Sequence, residues 1–199
     1  MKPIKITVVS CGEEKSAVTR LIQEKYLKLF GTRPSEAQTY IVGLSEEGIK
    51  GTIGFELPSE SGSLSIPSGY DFDDADVIPD IRKENVCQSN RWTSEDPDLG
   101  VALVYAVCLF AQAKKKEYVW IEQTPGAHRI LTRSGMRFHA IPSAKVALDR
   151  IDEKDRAYYA EHGPRPCIMI PSQVIATLAR RMHRLVEAGK LAFDESTLV

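Results

Sequence analysis

The sequence lacks the features that would direct it to nucleic acid or to a membrane. Lys and Arg number 26 and Asp and Glu number 27 among 199 residues, so the formal net charge is −1. Nucleic-acid binding usually requires a basic excess or a basic stripe, so neither DNA nor RNA is expected as a partner. No apolar run reaches the length of a membrane span, and none is therefore predicted. An ordinary hydrophobic fraction of 43% is instead typical of a globular domain.

Metal-binding and secretory patterns are also missing. The four cysteines form no C-x-x-C pair, and the four histidines form no H-x-x-x-H or H-E-x-x-H pattern, so no metal site is predicted. The apolar stretch near the N-terminus is too short for a signal peptide and has no A-x-A-like cleavage site. We therefore expect a reduced, cytoplasmic protein.

The residues that are present alternate between strand-like and helix-like patterns. Strands are predicted over 4–9, 40–44, 51–57, 84–93, 118–124, 138–141 and 167–170, with the last at an edge or end of the sheet. Helices are predicted over 13–30, 99–116, 125–134 and 173–188. The stretch 58–72 is predicted as a loop with a short strand at 63–66, and 73–81 as a short helix.

The helix predicted over 99–116 decides the topology. It is apolar nearly all round, so it should be buried. Because it connects the strands 84–93 and 118–124, these two strands should lie side by side and parallel. Together with the earlier hairpin, this predicts an α/β (α+β) fold with a mixed sheet and helices on both faces. We expect residues 1–171 to form the domain and 172–199 to be a C-terminal helix and tail that pack on it or extend it.

Two charged side chains lie within the predicted parallel strands. Arg91 stands beside Trp92, and an unpaired buried charge is costly, so Arg91 needs a partner. That partner is either a ligand or a structural carboxylate such as Glu84 or Glu122. A buried Glu122 would have a raised pKa and serve as a base, or it would only neutralise Arg91.

The junction before the buried helix admits two interpretations. The free N–H groups at a helix N-terminus favour an anion, and Gly100 and Ala102 would allow a ligand close to the backbone. Alternatively, Glu95, Asp96 and Asp98 cap the helix and repel phosphate.

Three segments together carry a family resemblance. The segment 88–92 (QSNRW) resembles an E-x-S-R-F strand, with Gln88 replacing the Glu and Asn90 the Ser. The segment 98–102 (DLGVA) resembles the back half of a Q/R-x-x-G-x-G/A pyrophosphate loop, with Pro97 in place of Gln or Arg. The segment 127–136 resembles A-x-x-x-Y-x-x-x-G-F, with Leu131 in the Tyr position. These patterns resemble the GNAT-like acyltransferases, in the branch of autoinducer (acyl-homoserine-lactone) synthases, N-acyl amino acid synthases and thermostable-hemolysin-like proteins.

The resemblance implies a mostly antiparallel central sheet whose parallel strand pair splays apart to admit a thioester. It implies an N-acyltransferase that moves an acyl group from acyl-CoA or acyl carrier protein to an amine of a small molecule or amino acid. Glu122 and Glu84 are the expected bases, and Arg91 would orient an acceptor carboxylate or organise the site. The donor would lie along five residues: Trp92, Thr93, Gly100, Val101 and Ala102.

The resemblance implies no permanently bound cofactor, and the C-terminal helix offers a surface for a homodimer. The departures at Pro97 and Leu131 favour an alternative, a non-catalytic GNAT-like ligand-binding or regulatory module. In that case the GNAT-like fold would be retained without acyl transfer.

Overall fold

The computed structural model describes residues 2–197, which build an eight-stranded sheet, a two-stranded sheet and six α-helices. The strands are β1 (Ile4–Val9), β2 (Thr39–Ser45), β3 (Gly48–Glu56), β4 (Tyr70–Asp71), β5 (Val86–Ser94), β6 (Tyr118–Gln123), β7 (His139–Ala140), β8 (Lys145–Val146), β9 (Arg165–Met169) and β10 (Leu191–Phe193). The helices are α1 (Gly12–Phe30), α2 (Ser65–Ser68), α3 (Pro97–Ala113), α4 (Pro125–Arg133), α5 (Glu153–His162) and α6 (Pro171–Glu187). Short 3₁₀ turns cover 74–76, 83–85 and 195–197.

The large sheet has the order β10-β1-β2-β3-β5-β6-β9-β7, and β4 pairs with β8 in the small one. Only two neighbouring pairs of the large sheet are parallel, β1 with β10 and β5 with β6, and the others are antiparallel. The predicted mixed, mostly antiparallel sheet with one parallel crossover pair is thereby confirmed. The crossover is made by α3, as the apolar pattern predicted.

Helices cover both faces of the large sheet. On one face α3 lies against the strands, and α6 packs over α3 through Val174, Leu178 and Met182. On the other face α1 packs on β2, and α2 packs near Trp120 and Ile168. Because α3 lies between the sheet and α6, eleven of its residues are buried, which explains its almost uniformly apolar composition.

The beginning of α3 is determined by local capping. The Asp96 carboxylate accepts the backbone N–H of Leu99 at 2.8 Å, and Pro97 occupies the first turn, where no N–H is needed. The first-turn residue Asp98 forms an ion pair with Arg181 of α6. The capping interpretation of these acids therefore describes the structure.

The parallel pair separates part-way along its length. Four residue pairs join β5 to β6, from Val86 with Tyr118 to Ser89 with Ile121. Beyond that point β5 continues to Ser94 and β6 to Gln123 without pairing to each other. This splay, expected from the family resemblance, opens a gap between the strands at their C-terminal ends.

Several local predictions were wrong. The segment predicted as a strand at 63–66 contains the start of α2, and of the helix predicted at 73–81 only the 3₁₀ turn at 74–76 is present. Helix α5 and strand β10 were not predicted. The strand at 167–170 belongs to β9, which is neither last nor at an edge, since it lies between β6 and β7.

The C-terminal segment is part of the same structure. Strand β10 extends the sheet by pairing with β1, and α6 contributes to the main core, so residues 172–197 share the core of residues 2–171. Residues 198–199 of the predicted tail lie outside the described residues. Within the described part of the chain, no helix combines the length and the apolar character needed to cross a membrane.

Candidate active site

A β-bulge shapes strand β5 next to the gap. Thr52 pairs with Thr93 and Gly54 pairs with Asn90, so Arg91 and Trp92 together oppose the single residue Ile53. Arg91 has φ = 54°, a left-handed conformation that is strained for a residue with a long side chain. Such bulges redirect side chains and disrupt pairing, and this one coincides with the end of the β5–β6 ladder.

The Arg91 side chain anchors the bulge to its surroundings. Its guanidinium forms an ion pair with Glu56 of β3, its Nε donates to the Ser35 carbonyl at 2.6 Å, and its Nη2 donates to the Ser35 hydroxyl at 2.8 Å. The expected structural partners Glu84 and Glu122 are therefore wrong, because Glu56 takes that position. Glu56 also accepts a hydrogen bond from Gln88, which is fully buried on the same strand as Arg91.

A cavity of about 570 Å³ occupies the gap. Its walls come from both faces of the sheet, with Tyr26 and Tyr159 on the side of α1 and α5, and Val104 and Leu131 on the side of α3 and α4. The cavity therefore passes between the two strands rather than lying on one face.

Glu122 is the carboxylate that lies in the gap itself, at the end of β6. It is half-buried, and burial raises its pKa to about 7 against the opposing effects of the Tyr159 and Tyr70 hydroxyl groups and of the Arg91 charge. The Tyr159 hydroxyl donates to Glu122 Oε1 at 2.8 Å. A carboxyl group with this pKa exists in both protonation states near neutrality, as a general base requires.

The tyrosines around Glu122 remain protonated. Burial raises the pKa values of Tyr70, Tyr158 and Tyr159 well above their usual range, and the negative charge of Glu122 acts in the same direction. They are therefore phenols rather than phenolates, and the hydroxyl of Tyr159 donates to Glu122 while that of Tyr70 donates to the Pro164 carbonyl at 3.1 Å.

Only one of the five residues predicted to bind the donor lies in the cavity wall. Of the five, Trp92 lines the cavity, whereas Thr93, Gly100, Val101 and Ala102 are not part of its wall. Gly100 accommodates the Trp92 ring, since a Cβ atom there would lie 2.7 Å from Trp92 Cζ2 and 2.8 Å from Ser94 Oγ. The absence of a side chain at residue 100 therefore leaves room for the Trp92 ring and the Ser94 hydroxyl.

Glu84 is separated from the cavity. It lies in the 3₁₀ turn before β5, at the end opposite the gap, and its exposed side chain approaches Arg82 at 3.4 Å. Glu84 is therefore too far from the gap to be the base of this cavity. Sequence reasoning also missed Glu56, Tyr70 and Asp155, which lie in elements far from the motifs, and no local pattern marks them.

No protein-family model and no curated protein sequence matches the chain. Solved structures with a similar fold include BjaI, a CoA-dependent acyl-homoserine lactone synthase, in a structure with MTA. The TM-score is 0.63 at 13% identity, over 98% of this chain and 94% of that one. FeeM, an N-acyl amino acid synthase from uncultured soil microbes, has a TM-score of 0.58 at 12% identity, over 92% and 100%. The chain has the GNAT-like acyltransferase fold.

A third structure, TofI in a ternary complex with an inhibitor and MTA, has a TM-score of 0.55 at 16% identity, over 88% of this chain and 97% of that one. The resemblance to the branch of autoinducer and N-acyl amino acid synthases is therefore confirmed at the level of fold. At these identities the similarity shows a shared fold and does not by itself show a shared activity.

Proposed function

We propose that the protein is an N-acyltransferase that moves an acyl group from acyl-CoA or acyl carrier protein to the amine of a small molecule or amino acid. The observation that carries this proposal is the splay of β5 from β6, which opens into a cavity containing the carboxylate of Glu122. A thioester can enter this gap from the α3 and α4 side. The reaction is proposed to occur in the cytoplasm, with no permanent cofactor.

The proposed reaction forms an amide and releases a thiol. The acceptor nitrogen attacks the thioester carbonyl carbon, and the C–S bond breaks. Glu122 takes the proton from the nitrogen, and the leaving thiolate takes up a proton to become the free thiol. Arg91 and Trp92 of the bulge have no partner in the β3–β5 ladder, and Thr93 has none on β6, so backbone groups of Arg91–Thr93 would polarise the thioester carbonyl.

Arg91 has a positioning role in this proposal. Its side chain is only 10% exposed and is held by Glu56 and Ser35, so it fixes the bulge and does not bind an acceptor carboxylate. Trp92 borders the donor side. Thr93, Gly100, Val101 and Ala102 lie outside the cavity wall, so the proposal gives them no contact with the donor.

A non-catalytic ligand-binding module is the second candidate. Leu131 lines the cavity at the position where the resembling pattern has a Tyr, so that hydroxyl is missing. In the enzymatic proposal, Tyr159 provides a hydroxyl beside Glu122 from another element.

The test is release of free thiol from acyl-CoA and acyl carrier protein donors in the presence of amines. We expect Glu122→Gln to lower turnover by about 10²–10⁴-fold while donor binding persists. Glu84→Gln is the matched control and should leave turnover unchanged, since Glu84 is on the far side of the molecule. Donor binding without thiol release under any amine would support the non-catalytic module instead.

A further inference from the structure

The charges on the cavity wall are not balanced. Arg91 and Arg150 both line the cavity, but each is already paired, Arg91 with Glu56 and Arg150 with Asp71 at 2.7 Å. Glu122 and Asp155 line the same cavity, and within residues 2–197 neither has a cationic side chain as an ion-pair partner. A third wall carboxylate, Asp152, approaches the ammonium group of Lys154 at 3.5 Å. The wall therefore has two carboxylates that no side-chain cation neutralises directly.

The hydrogen bonds to these carboxylates come from neutral groups. Tyr159 donates to Glu122, and the Thr32 hydroxyl donates to Asp155. Asp155 is near enough that its charge raises the pKa of Glu122, although burial is the larger cause. Two carboxylates that repel each other in one cavity are stabilised by a ligand with positive charge.

Aromatic rings complete this side of the cavity. Phe30 packs edge-to-face with Tyr26 and Tyr158 at centroid distances of 5.1 and 5.3 Å, and Tyr158 packs against Tyr159 at 5.4 Å. All four rings line the cavity. Aromatic faces attract cations and do not attract carboxylates, so the rings and the carboxylates favour the same kind of ligand.

We infer that the acceptor is a primary amine that carries a second positively charged group, as a linear diamine does, and not an α-amino acid. One nitrogen would lie at Glu122 and lose its proton there, while the second cationic group would be held by Asp155 and the aromatic rings. An acceptor carboxylate would meet two carboxylates and no unpaired cation among the described wall residues, so it is disfavoured. This inference rests on the proposed acyl transfer at the same cavity.

The experiment uses three acceptors with the same five-carbon chain. Pentylamine has one amine, cadaverine has a second cationic group, and lysine has that group and a carboxylate. With one acyl donor, we expect kcat/KM for cadaverine to exceed that for both others by about 10-fold or more, the effect of one charge-assisted contact. Asp155→Asn should remove the preference for cadaverine over pentylamine. Asp149→Asn, an exposed charge outside the cavity wall, is the matched control and should preserve it.

A separate binding measurement distinguishes the two failures. Calorimetric titration with cadaverine, without donor, should show binding that Asp155→Asn weakens. Acylation of pentylamine or lysine at rates equal to or above that of cadaverine would overturn the inference and leave the acyltransferase proposal standing. Cadaverine binding without acylation of any amine would refute the acyltransferase proposal, while no cadaverine binding and no preference would refute the diamine site.

Discussion

At the level of single residues, Glu122 shows how burial and hydrogen bonding adjust one carboxyl group. Its side chain lies at the end of β6, beyond the point where β5 separates from it. The carboxyl group is buried there, and this burial raises its pKa to about 7. The hydroxyl groups of Tyr159 and Tyr70 act in the opposite direction, and that of Tyr159 does so by donating a hydrogen bond to the charged form. The balance suits a base that must accept a proton near neutral pH.

This balance predicts the pH dependence of acyl transfer. Only the deprotonated form of Glu122 accepts a proton, so kcat/KM should rise with pH through about 7. Tyr159→Phe removes a hydrogen bond that lowers the pKa, so the rising limb should move to higher pH. The rate should recover in alkaline buffer. The measurement is a pH–rate profile of both proteins.

Tyr158→Phe is the control for that profile. Its ring packs beside Tyr159, but no hydrogen bond joins its hydroxyl to Glu122 in the described structure, so the limb should stay near its wild-type position. An unchanged limb in Tyr159→Phe would show that Tyr159 does not adjust the base.

At the level of elements, the junction of β5 and α3 depends on close packing. The Trp92 ring and the Ser94 hydroxyl both occupy the space that a Cβ atom at Gly100 would need. Residue 100 is also in the first turn of a helix with eleven buried residues, so the helix itself cannot easily shift to make room. The bulge, the Trp92 ring and the start of α3 are therefore coupled.

Gly100→Ala tests this coupling. The added methyl group should displace Trp92 and destabilise the protein by about 1–3 kcal/mol, as overpacking of a core does. Gly126→Ala is the matched control, because the nearest atom to its Cβ is Thr124 Oγ1 at 3.9 Å. In helix α4 that substitution should be neutral or stabilising by up to about 1 kcal/mol. Urea unfolding measures both, and equal stability of the two variants would contradict the packing argument.

At the level of the whole molecule, the C-terminal segment closes the core. Helix α6 covers α3, and β10 pairs with β1 at the edge of the sheet. The last elements of the chain therefore pack directly against elements from its first half and its middle. The boundary drawn at residue 171 separates sequence patterns but does not separate cores.

Leu178→Ala tests whether α6 is integral. Leu178 is 1% exposed and lies in the main core, so its truncation should cost about 2–5 kcal/mol of unfolding free energy. Val186→Ala, on the exposed face of the same helix at 43% exposure, should cost less than about 0.5 kcal/mol. Chemical denaturation gives both values. A small loss for Leu178→Ala would mean that α6 is only loosely attached.

The sequence by itself determined the elements whose patterns are local and the topology that follows from them. The uniform apolar character of α3 predicted its burial, and the crossover rule then made β5 and β6 parallel neighbours. The family patterns also directed attention to Arg91 and Trp92. These inferences succeeded because helical periodicity and the handedness of crossovers depend on residues close together in the chain.

Only the tertiary structure decided which side chains meet. Glu84 was expected near Arg91, but it lies in the 3₁₀ turn before β5, and the strand from Val86 to Arg91 separates them by about 17 Å. Glu56 from another strand pairs with Arg91 instead. Tyr159 reaches Glu122 from 37 residues away, and Thr32 reaches Asp155 from 123 residues away. Such contacts depend on which buried surfaces pack together across the sheet. They cannot be predicted from the spacing of residues along the sequence.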